Sequence, residues 1–209
     1  MPFPQSQVSR YVLSVVLGFT FIAGCGATLF LLALGSRHFE TAVFRRIPSE
    51  NRQAASERER ITSNVRLFLL GREQLSPSLF TEREQAHMRD VKGLVVALRW
   101  FTVFNWVIFG VALLWFLPER VRVSAVIRSA CLYAAWSLVV SALGMTLFFE
   151  QIFLRFHEVS FSNDLWLLDP AEHALIRVYP QEFFLRFTVF YLIVLMILFG
   201  AISRAVPKK

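Results

Sequence analysis

Two cysteines are all this 209-residue chain has, Cys25 and Cys131, and both fall inside apolar stretches. Buried cysteine most often behaves as a small hydrophobe, so neither a disulfide framework nor a metal site is expected. There is no glycine-rich phosphate cradle, no H-E-x-x-H pair and no G-x-S-x-G elbow. The familiar serine-hydrolase and zinc-protease readings therefore have no support. Strand-like alternation at barrel spacing is also missing. The apolar stretches carry no central charge and no broken helix, which disfavours a small transporter.

Apolar residues, in contrast, are abundant and blocked. They make up 56% of the chain, with 22 Phe and 5 Trp, where soluble domains hold about 45–50%. Four blocks are long enough to cross a bilayer as helices, which takes roughly 20 residues. They span about 11–34, 94–117, 130–149 and 187–203. The expected fold is an all-α polytopic membrane protein forming one membrane domain over 1–209. The first block reads as a retained span. Its apolar core exceeds the roughly 7–15 residues of a signal h-region, and Arg10 is the only charge before it. A lipobox around Cys25 in "FIAGCG" is the weaker alternative, because it would leave an odd number of helices.

Charge sets an expected topology. The short second loop carries Arg120, Arg122 and Arg128 against one Glu, and the tail carries Arg204, Lys208 and Lys209. The third loop, about 150–186, is acidic. The positive-inside rule then puts both termini and the second loop in the cytoplasm. The first loop, about 35–93, is Arg-rich and dissents, but long loops translocate largely regardless of charge. Loops one and three would form a small domain on the outer face. The net charge of +7 points to anionic membrane lipid and not to nucleic acid.

In the first loop, "SENRQAASERERITSNVRLFLLG" reads as an amphipathic helix with Val65, Phe68 and Leu69 on its apolar face and Gly71 as its stop. Thr81 and Glu84 form a capping-box pattern. That box opens a helix carrying His87 and running into the second span. Arg83, Glu84 and Asp90 share the face of His87, and a carboxylate there would hold one ring nitrogen. In the third loop, "EQIFLRFH" prolongs the third helix to His157. Each histidine would sit roughly 10–12 Å above its span. "SFSND" is a turn, "LWLLDP" a strand or interface loop with Trp166 at the membrane boundary, and "LIRVYP" a short strand. Asn163 and Asp164 suit turn capping. Arg99 and Arg186 suit snorkelling to headgroups, with a substrate carbonyl as the sharper alternative. Asn105 reads as a packing amide, His38 as interfacial and His173 as a solvated loop residue.

"FH", "FSNDLWLLDP" and "LIRVYPQEFF", with the upstream "EREQAHMRDVK", resemble the lipoprotein intramolecular transacylases, a family of small bacterial membrane proteins. Chain length, helix count and loop sizes fit as well, while positions 45–75 inherit nothing from the resemblance. The resemblance implies transfer of the sn-2 acyl chain of an S-diacylglyceryl cysteine to that cysteine's free α-amine, giving a lyso-lipoprotein. The partners implied are diacylglyceryl-modified lipoproteins and membrane lipid, in the bacterial cytoplasmic membrane, with no cofactor.

That chemistry needs a proton removed from nitrogen, an oxyanion steadied, and a departing glycerol oxygen protonated. Imidazole, with an unperturbed pKa of about 6.5, suits the first and third tasks. A second imidazole or an Arg suits the other. His87 is read as the proton shuttle and His157 as its partner, although which of them starts the transfer stays open. Asn163, Asp164, Trp166, Arg177, Arg99 and Glu84 would support them. A non-enzymatic lipid- or lipoprotein-binding protein is the alternative, with the same loops forming a groove.

Overall fold

The computed structural model describes residues 7–45, 47, 52–116 and 120–206. Among these it is all-helical: α1 (Gln7–Gly35), α2 (Arg37–Phe44), α3 (Arg52–Leu69), α4 (Glu82–Phe116), α5 (Arg120–Ser160), α6 (Ala174–Val178) and α7 (Gln181–Ala205). Four helices are long and apolar enough to cross a membrane: Val12–Gly35, Glu82–Trp115, Val123–Ser160 and Gln181–Ala205. Helices α4 and α5 outrun their apolar blocks. At 1.5 Å per residue, α4 is about 52 Å long against a hydrocarbon core of about 30 Å. Six charged residues lie between Glu82 and Lys92. Those leading turns, and the 150–160 end of α5, therefore lie beyond the membrane-crossing runs 94–116 and 130–149.

Two expectations are corrected. The arginine-rich stretch expected as the second loop is helix instead: α5 is already helical at Arg120. No Gly or Pro interrupts the sequence from there to Leu143, so nothing stops the arginine-rich stretch from joining the helix. "LIRVY" is not a strand but the one-turn α6, closed by Tyr179 N–H donating to Leu175 O at 2.8 Å. A strand needs a neighbour to pair with, and none exists among the described residues. Tyr179, which precedes Pro180, is pushed out of helical geometry and ends the turn at φ −112°, ψ 67°.

The chain forms two compact units. The first holds the described residues up to Phe30, Leu98–Ser141 and those from Leu192 onward. Its interior is thin: Leu17 and Ala112 are buried with Leu13, Val16, Phe109 and Val126 around them. Gly24 permits close approach, since a Cβ there would lie 2.7 Å from Asn105 Nδ2 and 2.8 Å from the Trp106 ring. Small residues at such contacts are how membrane helices pack. Asn105 donates to Thr20 O at 2.7 Å and Trp106 Nε1 to Thr28 Oγ1 at 2.9 Å, so Asn105 is the packing amide expected.

The second unit holds Leu31–Ala97 and Ala142–Tyr191. Its core joins Ile61, Val65, Phe68 and Leu69 of α3 to Leu75, Phe80, Met88, Val95, Ala174 and Leu175. The apolar face expected on α3 is thus buried, and Gly71 follows it at φ +77°, a left-handed position that favours glycine. A buried polar network accompanies this core. Glu40 accepts from Tyr179 Oη at 2.7 Å and from Arg66, with both ion-pair partners 14% exposed. Burial pushes Glu40 up, opposed by the Tyr179 and Arg66 hydrogen bonds, and holds Tyr179 well above its usual range.

Candidate active site

The candidate site is built on the leading turns of α4. The Thr81 amide donates to Glu84 Oε2 at 2.7 Å, and the Glu84 amide to Thr81 Oγ1 at 3.3 Å. This reciprocal capping box satisfies two orphan donors of the helix start. The other Glu84 oxygen, Oε1, accepts Leu175 N–H at 2.7 Å. Glu84 is 1% exposed, so its carboxylate ties the start of α4 to α6 and does not face a substrate.

One turn on, His87 is buried, 7% exposed. Its ring lies 6.3 Å from that of His157 near the end of α5. The Phe161 ring stands edge-on to His87 at 5.1 Å. His87 Nδ1 is buried without a hydrogen-bond partner. No carboxylate holds it, against expectation: Glu84 is engaged as above, and Asp90 Oδ2 accepts from Asn163 Nδ2 at 3.0 Å. Burial, then the neighbouring His157 imidazole, push His87 down to about 4, with Asp90 pulling the other way. Desolvation disfavours the charged ring.

His157 is half-buried within an aromatic wall. Phe153 lies 4.3 Å away, Trp166 5.0 Å, Phe156 5.4 Å and Phe161 5.7 Å, centroid to centroid. Trp166 therefore packs on the imidazole rather than merely marking a membrane boundary. His157 Nδ1 lies 2.7 Å from Phe153 O. A carbonyl only accepts, so Nδ1 carries the proton and the neutral ring keeps its lone pair on Nε2. Burial lowers His157, and the Phe153 carbonyl opposes that. Two neutral imidazoles thus face one another at an apolar wall.

The sequence model of the lipoprotein intramolecular transacylase family matches residues 13–184. The chain belongs to this family. It is similar to the solved structure of the membrane-integral transacylase from Bacillus cereus, at a TM-score of 0.76 and 16% identity over 96% of this chain and 97% of that one. Two variants of the same Bacillus cereus protein, each with a single histidine replaced, also match. The arginine variant has a TM-score of 0.67 over 94% of this chain and 91% of that one; the alanine variant has 0.64 over 94% and 92%, both at 16% identity. At that identity the likeness is one of fold. A search of curated proteins finds no match. The protein is therefore a membrane-integral acyltransferase of the lipoprotein transacylase family.

The transacylase brings together His87, His157 and Trp166 of the residues expected from sequence. Asn163 and Asp164 stand beside them, bonded to α4 through Asp90 and Arg83. Arg177 donates to the carbonyls of Pro170 and Ala171 at 3.1 and 3.4 Å, which fixes its own loop. Arg99 falls in the first unit. Arg186 pairs with Glu182 on α7. His173 is not a solvated loop residue: it is 7% exposed and precedes α6, its Nδ1 accepting the Asp169 amide at 3.0 Å. Phe153 and Phe161 were not among the site residues expected from sequence, although Phe161 opens the family-like "FSNDLWLLDP" stretch.

Proposed function

We propose that this transacylase moves the acyl chain on the middle glycerol carbon of an S-diacylglyceryl cysteine to the α-amine of the same cysteine. The observation that carries the reading is the facing pair of neutral imidazoles, one with a backbone-fixed tautomer and one with a buried, unpartnered nitrogen. An α-amine has a pKa of about 7.7–8.0. Transfer of its resting proton to a ring held at about 4 is uphill by roughly 5 kcal/mol. The amine therefore reacts in its neutral form. Its nitrogen attacks the ester carbon, and the carbonyl electrons move onto oxygen. The nitrogen becomes cationic as the N–C bond forms, and its proton passes to His157 Nε2. His87, held neutral, donates an N–H to the oxyanion. The sequence alone suggested the reverse division; the Phe153-bound tautomer of His157 favours this one. Collapse breaks the acyl C–O bond, and the glycerol oxygen takes the proton back from His157. One ester and one amine become one amide and one hydroxyl, with no external acyl donor. Holding amine and ester in one molecule supplies proximity.

On this reading both termini face the cytoplasm and the imidazoles face outward, as the arginines at the start of α5 and the basic tail favour. Cysteine at Ser56 or Ser162, in a chain lacking Cys25 and Cys131, should react with an impermeant thiol reagent on intact cells; labelling only at Ser124→Cys would invert the orientation. The reaction itself is tested by mass spectrometry of lipoprotein N-terminal peptides from cells with and without the protein. Expression should convert S-diacylglyceryl peptides to N-acyl, S-monoacylglyceryl peptides of the same total chain count. Peptides that stay unchanged, or that gain a third chain, would overturn the proposal.

A further inference from the structure

His87 sits on a helix face flanked by charge, at Arg83 four residues before and Asp90 three after, yet it is buried. The cover is the turn that follows α5. Arg83 donates to Asp164 O, and its guanidinium lies 3.7 Å from Asp164 Oδ1. Asp90 Oδ2 accepts from Asn163 Nδ2 at 3.0 Å. Asn163 Oδ1 also accepts Leu165 N–H at 3.1 Å, and Leu167 N–H reaches Asp164 O at 3.0 Å, so the turn has its own internal shape. The two residues that flank His87 on its helical face therefore both reach to adjacent residues of one turn. That turn carries Phe161 against both imidazoles and Trp166 against His157.

We infer that Asp90–Asn163 and Arg83–Asp164 form a two-point clasp that closes the 161–166 turn over the imidazole pair, making Arg83, Asp90 and Asn163 positioning residues for acyl transfer. The inference rests on the histidine pair acting as proposed above. Each half of the clasp is weak. The Arg83 and Asp164 side chains are 38% and 77% exposed, and exposed pairs shift an equilibrium by only about two- to fivefold. The turn thus opens readily to admit a lipidated substrate and closes to exclude water from the reacting atoms. The charged and titratable groups around His87 are Arg83, Glu84 and Asp90 on α4, His157 on α5 and Asp164 on the turn.

The test uses the full chain in detergent, an S-diacylglyceryl cysteine peptide, and imidazole NMR titration without substrate. Asn163→Ala breaks one half of the clasp and leaves every charge in place. It should lower kcat about two- to fivefold, leave KM unraised, and move His87 from about 4 back toward 6.5 as solvent reaches the ring. Asp90→Asn keeps an acceptor for Asn163 but removes the charge; the turn stays closed and His87 moves further down. Asp90→Leu opens the turn and should lower kcat at least as far as Asn163→Ala. A rise in KM with kcat intact would overturn the inference and make Asn163 a substrate contact. His87→Gln is assayed alongside. If it is inactive while Asn163→Ala matches wild type in kcat and titration, the clasp alone is wrong. If His87→Gln is itself fully active, the reading of the imidazole pair is wrong and the clasp falls with it.

Discussion

The two units of this chain solve the same problem, burying a helical interior, in opposite ways. The first relies on small residues and a few interhelical hydrogen bonds. Gly24 admits Asn105 and Trp106, and its buried cluster centres on Leu17 and Ala112. Lipid tails are as apolar as leucine, so such helices gain little by hiding leucine from their surroundings. The second unit is packed like a small water-soluble domain. It has a ten-residue buried core, a capping box, and carboxylates sealed against partners. The imidazoles proposed to react, His87 and His157, belong to this second unit. A pair of imidazoles needs neighbours that fix a tautomer and exclude water, and a thin interior between membrane helices supplies neither.

That contrast can be broken most sharply at the imidazoles. His157→Gln and His87→Gln should each cut conversion of a diacylglyceryl peptide by about 10²–10⁴-fold, with thermal unfolding in detergent little changed. His38, exposed on α2, is the control, and His38→Ala should keep full activity. His173 is unsuitable as a control because it is buried against the Asp169 backbone.

Next in size is the buried ion pair of the second unit. Arg66→Met leaves Glu40 with the Tyr179 hydroxyl and the field of Arg37, and breaking a buried pair typically costs about 3–5 kcal/mol. Arg66 normally draws the Glu40 carboxyl down against burial, so the variant's Glu40 lies higher still. A carboxyl raised in the folded state binds its proton more readily folded than unfolded. The deficit should therefore be largest well above Glu40's raised pKa and shrink as pH falls through it. Thermal melts across a pH series check both size and sign. Smaller again is Glu84→Ala, which leaves the Thr81 and Leu175 amides without acceptors, at about 1–3 kcal/mol; Glu84→Gln should recover part of the loss. The smallest effect belongs to the first unit. Thr28→Val removes the Trp106 hydrogen bond in a near-isosteric way and should cost about 0.6 kcal/mol. A Thr28→Val loss as large as that of Arg66→Met would erase the distinction between the two units.

Much of this was legible in the sequence. The apolar blocks, the Thr81–Glu84 box and the buried face of α3 each follow from local periodicity or spacing. The two candidate histidines stand out in the sequence because each lies a few turns beyond an apolar block and within a family-like stretch. Long-range partners were not legible. Glu40, Arg66 and Tyr179 lie 26 and 139 residues apart along the chain, and nothing local marks them as partners. Glu84 looked like a candidate ligand of His87 because they share a helix face, but the Leu175 amide, 91 residues on, takes its free oxygen. The strand expected at "LIRVYP" failed for a related reason. Its β-branched residues suit a sheet, but a sheet requires a partner that local sequence does not reveal.

The central claim, that the paired imidazoles move a chain within one substrate molecule, is tested most directly by a crossover experiment. Purified protein in detergent, without added phospholipid, is given two S-diacylglyceryl cysteine peptides of different mass. One carries isotope label on the chain at the middle glycerol carbon. The expected result is label on the amine of the peptide that began with it, no label on the other, and no product when the amine is blocked by acetylation. Label spread across both peptides would contradict an internal transfer and favour a route through an acyl-enzyme intermediate.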